Sequence, residues 1–153
     1  MDIQQFEVIR PKCAGLDVHK KSVVAAVCTS DSVTLTASYK TKVFNTTNSD
    51  IAALRDWLLE QGCHDVCMES TGKYWIPIFN ILEPHMHVVL THPKYVKAIK
   101  GKKTDKRDAK WIANLFRFDI VKASFIPPAD IRALRELSRY RLKLSYMRTA
   151  EKN

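Results

Sequence analysis

The chain has 153 residues, 46% of them hydrophobic and 27% charged. That length and balance fit one packed domain and exclude a disordered or fibrous chain. The formal charge of +9, from 25 Lys and Arg against 16 Asp and Glu, favours a polyanionic partner, nucleic acid before an anionic membrane surface.

Residues 1–12 read as a loose lead-in, too polar for a signal peptide. No apolar run approaches the ~20 residues of a membrane span. The expectation is a cytoplasmic chain whose four cysteines, Cys13, Cys28, Cys63 and Cys67, stay reduced. Cys63, His64 and Cys67 do not have the spacing of a zinc knuckle and no second pair follows, so buried, inert thiols are expected.

Residues 13–18 form a short apolar run, and residues 22–29 a second, rich in Val and Ala. Residues 33–44 alternate with Thr, Ser and Tyr, the period of a half-exposed strand. Short connections, with Asp31-Ser32 as one turn, predict an antiparallel meander. Asn48 or Ser49 is expected to cap a helix in which Ile51, Leu54, Leu58 and Leu59 recur at helical spacing, with Gly62 ending it.

Residues 65–69 read as a strand with Glu69 at its carboxyl end. A helix over 74–82 must hold Pro77 in its first turn. Residues 87–90 form another buried strand, and Pro93 opens a short helix to about residue 99. Thr104 caps a helix over 105–118. Pro127-Pro128 breaks the chain before a long basic helix over 129–152, striped with Ile131, Leu134, Leu137, Leu144 and Met147. This order predicts an α/β domain: a mixed sheet with flanking helices, its meander joined to parallel strands by crossovers.

Between Lys94 and Lys110 the only acids are Asp105 and Asp108. Three apart on a helix, they share a face. The plain reading is a capped helix start whose acids suit the helix dipole. The sharper reading needs acids from elsewhere. Asp17 closes the first strand and Glu69 the fourth, and carboxyl ends of strands are where α/β sheets collect functional groups. Four converging acids repel one another unless a cation neutralises them. Oxygen-only ligands select Mg²⁺ or Mn²⁺, and a pair of such ions can clamp the attacking and leaving oxygens of a phosphodiester.

Three stretches in this order carry a resemblance. They are Gly15-Leu16-Asp17-Val18-His19-Lys20, Glu69-Ser70-Thr71-Gly72-Lys73-Tyr74 and Lys103-Thr104-Asp105-Lys106-Arg107-Asp108-Ala109. Together they resemble the N-terminal domain of the DEDD transposases of insertion sequences, from about Ala14 to the last helix. The resemblance implies a ribonuclease-H-like, RuvC-type fold followed by a long C-terminal linker helix. It implies that Asp17, Glu69, Asp105 and Asp108 are the catalytic acids and ligands of Mg²⁺ or Mn²⁺. It implies DNA as substrate, cleaved and rejoined under a guide RNA from the same element, and a homodimer or higher oligomer. Family members continue into a domain carrying a nucleophilic serine. The expected division is therefore a RuvC-like domain over 1–126 and the start of a helical linker over 127–153, with the serine domain absent and the fragment inactive in recombination.

Lys100, Lys102, Lys103, Lys106 and Arg107 are the expected nucleic-acid contacts. Lys20 joins them, although solvated turn charge is the plainer reading there. His19 follows Asp17 at strand alternation and either orients a phosphate or water or simply packs. Thr71 and Gly72 offer backbone amides to a phosphate or form an ordinary turn. Tyr74 and Trp75 stack on a base or pack on the sheet; Trp57 and Trp111 are expected in the core. The last helix either lies back on the domain or pairs with a second copy, and its long stripe favours pairing. Two other functions compete: a non-catalytic basic nucleic-acid-binding module, and a phosphotransferase of the actin or sugar-kinase fold. Only four glycines and no glycine-rich nucleotide loop weigh against the kinase.

Overall fold

The computed structural model describes residues 7–69, 72–96 and 104–152. The elements run β1 (Lys12–Val18), β2 (Ser22–Ser30), β3 (Ala37–Asn45), α1 (Asn48–Glu60), β4 (Asp65–Glu69), α2 (Trp75–Leu82), β5 (His87–Thr91), α3 (Pro93–Val96), α4 (Asp105–Arg117) and α5 (Ala129–Lys152). They build one mixed sheet of order β3-β2-β1-β4-β5. β3, β2 and β1 are the antiparallel meander; β4 and β5 run parallel to β1. The expected mixed sheet with flanking helices is present.

Alternation along β1 divides the core. Ala14, Leu16 and Val18 join Ile51, Leu54 and Leu58 of α1 and Ile78 and Leu82 of α2 in one cluster. Cys13, on the other face, joins Ile112, Ala113 and Phe116 of α4, together with Cys28 and Cys67. All four cysteines are free and buried, as expected.

α4 lies against β1 because Gly15 has no side chain. A Cβ built there would stand 2.2 Å from the Ala109 carbonyl oxygen and 2.5 Å from the Ala113 amide nitrogen. Ala109 and Ala113, four residues apart and both fully buried, form the small-residue face of the helix at this crossing. The other end of α4 is fastened by the lead-in. The Ile9 and Arg10 amides donate to the Arg117 carbonyl, and the Arg10 guanidinium pairs with Asp119 at 2.7 Å and lies 4.3 Å over the Phe116 ring. The expectation of a loose lead-in therefore fails from Val8 onward, because this segment closes the C-terminal end of α4.

Two boundaries also differ. β3 starts at Ala37, not residue 33: the Asp31 carboxylate accepts the Val33 and Thr34 amides, and Leu35 takes a φ of +57°, so residues 31–36 are one compact turn. Helix α1 is capped by Thr47, not Asn48 or Ser49. The Thr47 hydroxyl accepts the Asp50 amide and donates to the Asp50 carboxylate at 2.6 Å. Gly62, at φ +66°, ends that helix as expected. Trp57 and Trp111 are half-buried rather than fully inside.

α5 buries none of its own side chains. Its first turn is tied down by Arg132, which donates to the Pro127 carbonyl at 2.8 Å, to Asn80 at 3.1 Å and to Glu83 at 2.6 Å. Beyond that turn its apolar stripe stands open, so it does not lie back along the domain. Among the described residues no helix is long and apolar enough to cross a membrane.

Gly15→Ala tests the helix–strand contact. The added methyl meets backbone atoms, which cannot rotate away, so α4 must lift. We expect a loss of ~1–3 kcal/mol by denaturant titration, the usual cost of overpacking. An unchanged midpoint would mean that the crossing is looser than described.

Candidate metal centre

Asp17 is the penultimate residue of β1 and is only 8% exposed. It points to the α4 face, as Cys13 and Gly15 do. The β1–β2 turn is closed by the His19 amide donating to the Ser22 carbonyl at 2.9 Å. That returns the His19 ring to the same face. Nε2 of His19 lies 3.1 Å from Asp17 Oδ2 and 3.6 Å from Asp105 Oδ1. One ligand atom from each of Asp17, His19 and Asp105 lies within 4.8 Å of the others, and the trio could hold a metal ion.

Asp105 reaches this point because α4 begins there. Thr104 is its N-cap, with an extended backbone and a hydroxyl that accepts the Arg107 amide. Asp105 and Asp108 occupy the first turn. Asp108 is half-buried on this turn, one residue before Ala109, which rests on Gly15.

Glu69 arrives from the neighbouring strand. Leu16 pairs with Met68 in parallel register, so Asp17 and Glu69 are each the next residue along. Both follow residues of the opposite core cluster, which turns them to the α4 face. The four acids expected from the sequence are thus at one end of one face. The tight trio takes in Asp17 and Asp105, adds His19, and leaves Asp108 and Glu69 outside it.

Electrostatics separate Asp17 from an ordinary surface acid. Burial pushes its carboxyl above the usual aspartate range. The His19 charge and hydrogen bond pull it back, and the Asp108 and Asp105 charges push it up again. A cation among these oxygens would relieve both the desolvation and the repulsion, so the residues fit a divalent ion.

Lys20, Lys106 and Arg107 flank the cluster, Lys20 in the β1–β2 turn and the other two in the first turn of α4. Lys100, Lys102 and Lys103, like Thr71, lie outside the described residues. Gly72 adopts φ +57° next to Tyr74, which is exposed, while Trp75 packs partly into the core. The His64–Cys63–Cys67 zinc reading has no counterpart among the described residues: both thiols are buried, and the metal-competent group is elsewhere.

A family model of the IS110-type DEDD transposases, described as a transposase, matches residues 14–153. The chain belongs to that transposase family. No curated protein matches it. Among solved structures it is similar to Thermus thermophilus RuvC, at 16% identity and a TM-score of 0.56, covering 74% of this chain and 99% of that one. It is similar also to T. thermophilus RuvC in complex with a Holliday junction substrate, at 15% identity and a TM-score of 0.53, over the same shares of the two chains. At those identities the likeness establishes the fold: the transposase domain is RuvC-like.

Asp17 carries a stability cost that its variant removes. Its folded pKa is raised, so the folded state binds the proton more tightly than the unfolded one. The cost is absent below the ordinary carboxylate pKa and complete above the raised one. Asp17→Asn should therefore melt higher than wild type in EDTA at neutral pH. The gain should shrink as pH falls toward about 4. A variant that melts lower at neutral pH would contradict the desolvation of Asp17.

Proposed function

We propose that this chain is the divalent-metal-dependent domain of a DNA transposase that cleaves and rejoins DNA strands. The observation that carries the reading is the convergence of a buried Asp17 with Asp105 at the carboxyl end of β1, beside Asp108 and Glu69. A merely basic docking module has no need to bury an acid among other acids, where each raises the cost of the next.

In this reading Asp17 and Asp105 hold Mg²⁺ or Mn²⁺ directly, and Glu69 and Asp108 complete the acidic set as further ligands or as acceptors for ordered water. Such an ion, when bound, polarises a phosphoryl oxygen and lowers the pKa of an attacking hydroxyl. The protein supplies the rest. Burial of Asp17 fixes one ligand on a strand, and the first turn of α4 fixes the other on a helix. Both supports are rigid, which catalytic geometry requires.

Lys20, Lys106 and Arg107 hold the DNA backbone by its phosphates, and Lys100, Lys102 and Lys103 extend that grip. A guide RNA from the same element and a second copy of the chain are the remaining partners in this reading. The exposed Ile131, Leu134 and Leu137 of α5 are the surface that a second copy would cover. A RuvC-like domain over 1–126 and the start of a helical linker over 127–153 form the corresponding division.

Calorimetric titration with Mn²⁺ tests the centre. Wild type should bind, and Asp17→Asn and Asp105→Asn should each bind at least ~10-fold more weakly, since both remove a direct ligand charge. Equal binding by all three would reduce the chain to the inert module. For the flank, Lys106→Ala with Arg107→Ala should weaken DNA binding and flatten its logarithmic salt slope by up to ~1.8, about 0.9 for each phosphate left unneutralised. An unaltered slope would remove these two residues from the DNA surface.

A further inference from the structure

The sequence supplies oxygen ligands, but the trio that the fold assembles contains a nitrogen. Nε2 of His19 lies between Asp17 Oδ2 and Asp105 Oδ1, at 3.1 and 3.6 Å. Ligand bonds of about 2.1 Å span up to about 4.2 Å across one ion. The 4.8 Å spread of the three ligand atoms is therefore within a small side-chain adjustment of a shared ion.

The ring is also well supported. His19 opens the β1–β2 turn and closes it through its amide, and the next carbonyl, that of Lys20, accepts the Thr46 hydroxyl at 2.9 Å. Asp17 and His19 come from one strand end and Asp105 from the helix above it. A ring held only for packing would be buried among apolar atoms, whereas this side chain is 45% exposed and faces two carboxylates.

We propose that His19 enters the coordination shell through Nε2 and makes this a mixed nitrogen–oxygen site that takes Mn²⁺ in preference to Mg²⁺. The proposal rests on the metal-centre reading above and adds the ion's identity to it. Mg²⁺ demands a near-ideal octahedron of oxygens and gives up water reluctantly. A transition ion accepts imidazole nitrogen alongside carboxylate oxygen, and among first-row ions Mn²⁺ keeps the strongest leaning toward oxygen. One histidine beside two aspartates matches that balance. The competing role for His19 is a hydrogen-bonded link between the two acids that leaves when a metal arrives.

Two measurements on the full chain separate these roles. The first is electron spin-echo spectroscopy of the Mn²⁺-loaded protein. Modulation from a directly bound ¹⁴N is expected in wild type and should vanish in His19→Asn. The second is titration of each variant with Mn²⁺ alone and with Mg²⁺ alone. His19→Asn should lose ~10-fold or more in Mn²⁺ affinity and much less in Mg²⁺ affinity, so the preference narrows. Because His19 is half-exposed, the variant should keep its fold, which circular dichroism checks. Bound Mn²⁺ without nitrogen modulation, or equal losses for the two ions, overturns the proposal and leaves the acidic centre standing. No Mn²⁺ binding by wild type overturns both.

Discussion

The structure depends on one contact between main chains, where α4 rests on β1 at Gly15. The Ala109 carbonyl and Ala113 amide occupy the space a side chain would take. That sets the height of the helix above the sheet. Asp17 is two residues further along the strand, and Asp108 and Asp105 are one and four residues before Ala109 on the helix. The packing contact and the acidic cluster are thus neighbouring parts of one interface. A helix raised by even one methyl group would carry its first-turn acids away from Asp17.

Holding acids in that interface has a cost, and the opposite end of α4 helps to offset it. Arg10 bridges to Asp119, lies over Phe116 and approaches Asp65 at 3.8 Å. Arg117, itself buried, donates to Asn114, Ser30 and the Leu35 carbonyl. These bonds join the C-terminal turn of α4 to β2, to the turn before β3 and to the lead-in. The helix is therefore clamped at the end away from the acids. Its N-terminal turn is left to the acids, where Asp17 is held in an unfavourable electrostatic state. Stability forfeited at a site and recovered elsewhere is the usual arrangement in functional proteins.

Much of this was legible in the residues, for physical reasons that differ by element. The strands and α1 announce themselves through apolar runs, period and stop signals: the short apolar runs of β1 and β2, the Ile51-Leu54-Leu58 spacing, Gly62 after the helix. Where side-chain hydrogen bonds compete with the backbone, period misleads. Val33 continues the apparent alternation of β3, yet Asp31 captures the amides of Val33 and Thr34 and delays the strand to Ala37. Asp17, Glu69, Asp105 and Asp108 stand out in the sequence because each lies near the end of a strand or in the first turn of a helix. The role of His19 as a third member of the tight cluster does not. Alternation puts it on the right side of the strand, but only the turn brings Nε2 between two carboxylates. Gly15 was equally silent, since a glycine in a strand signals a close approach without naming what approaches. The paired Ala109 and Ala113 were the available clue.

Strand direction explains why the cluster lies at this end and not the other. β1 is the strand at which the sheet changes sense: antiparallel to β2 on one side, parallel to β4 on the other. The parallel pairing brings the carboxyl ends of β1 and β4 together, and with them Asp17 and Glu69. The antiparallel pairing turns the chain back at the same end, and that turn contributes His19 and Lys20. Had β4 run antiparallel to β1, Glu69 would lie at the far end of the sheet, beyond reach of α4's first turn. Had β2 been joined by a crossover instead of a tight turn, no histidine would be held beside Asp17. The site needs both neighbours of β1 in the senses they have, and open α/β sheets place their ligands at such a switch point.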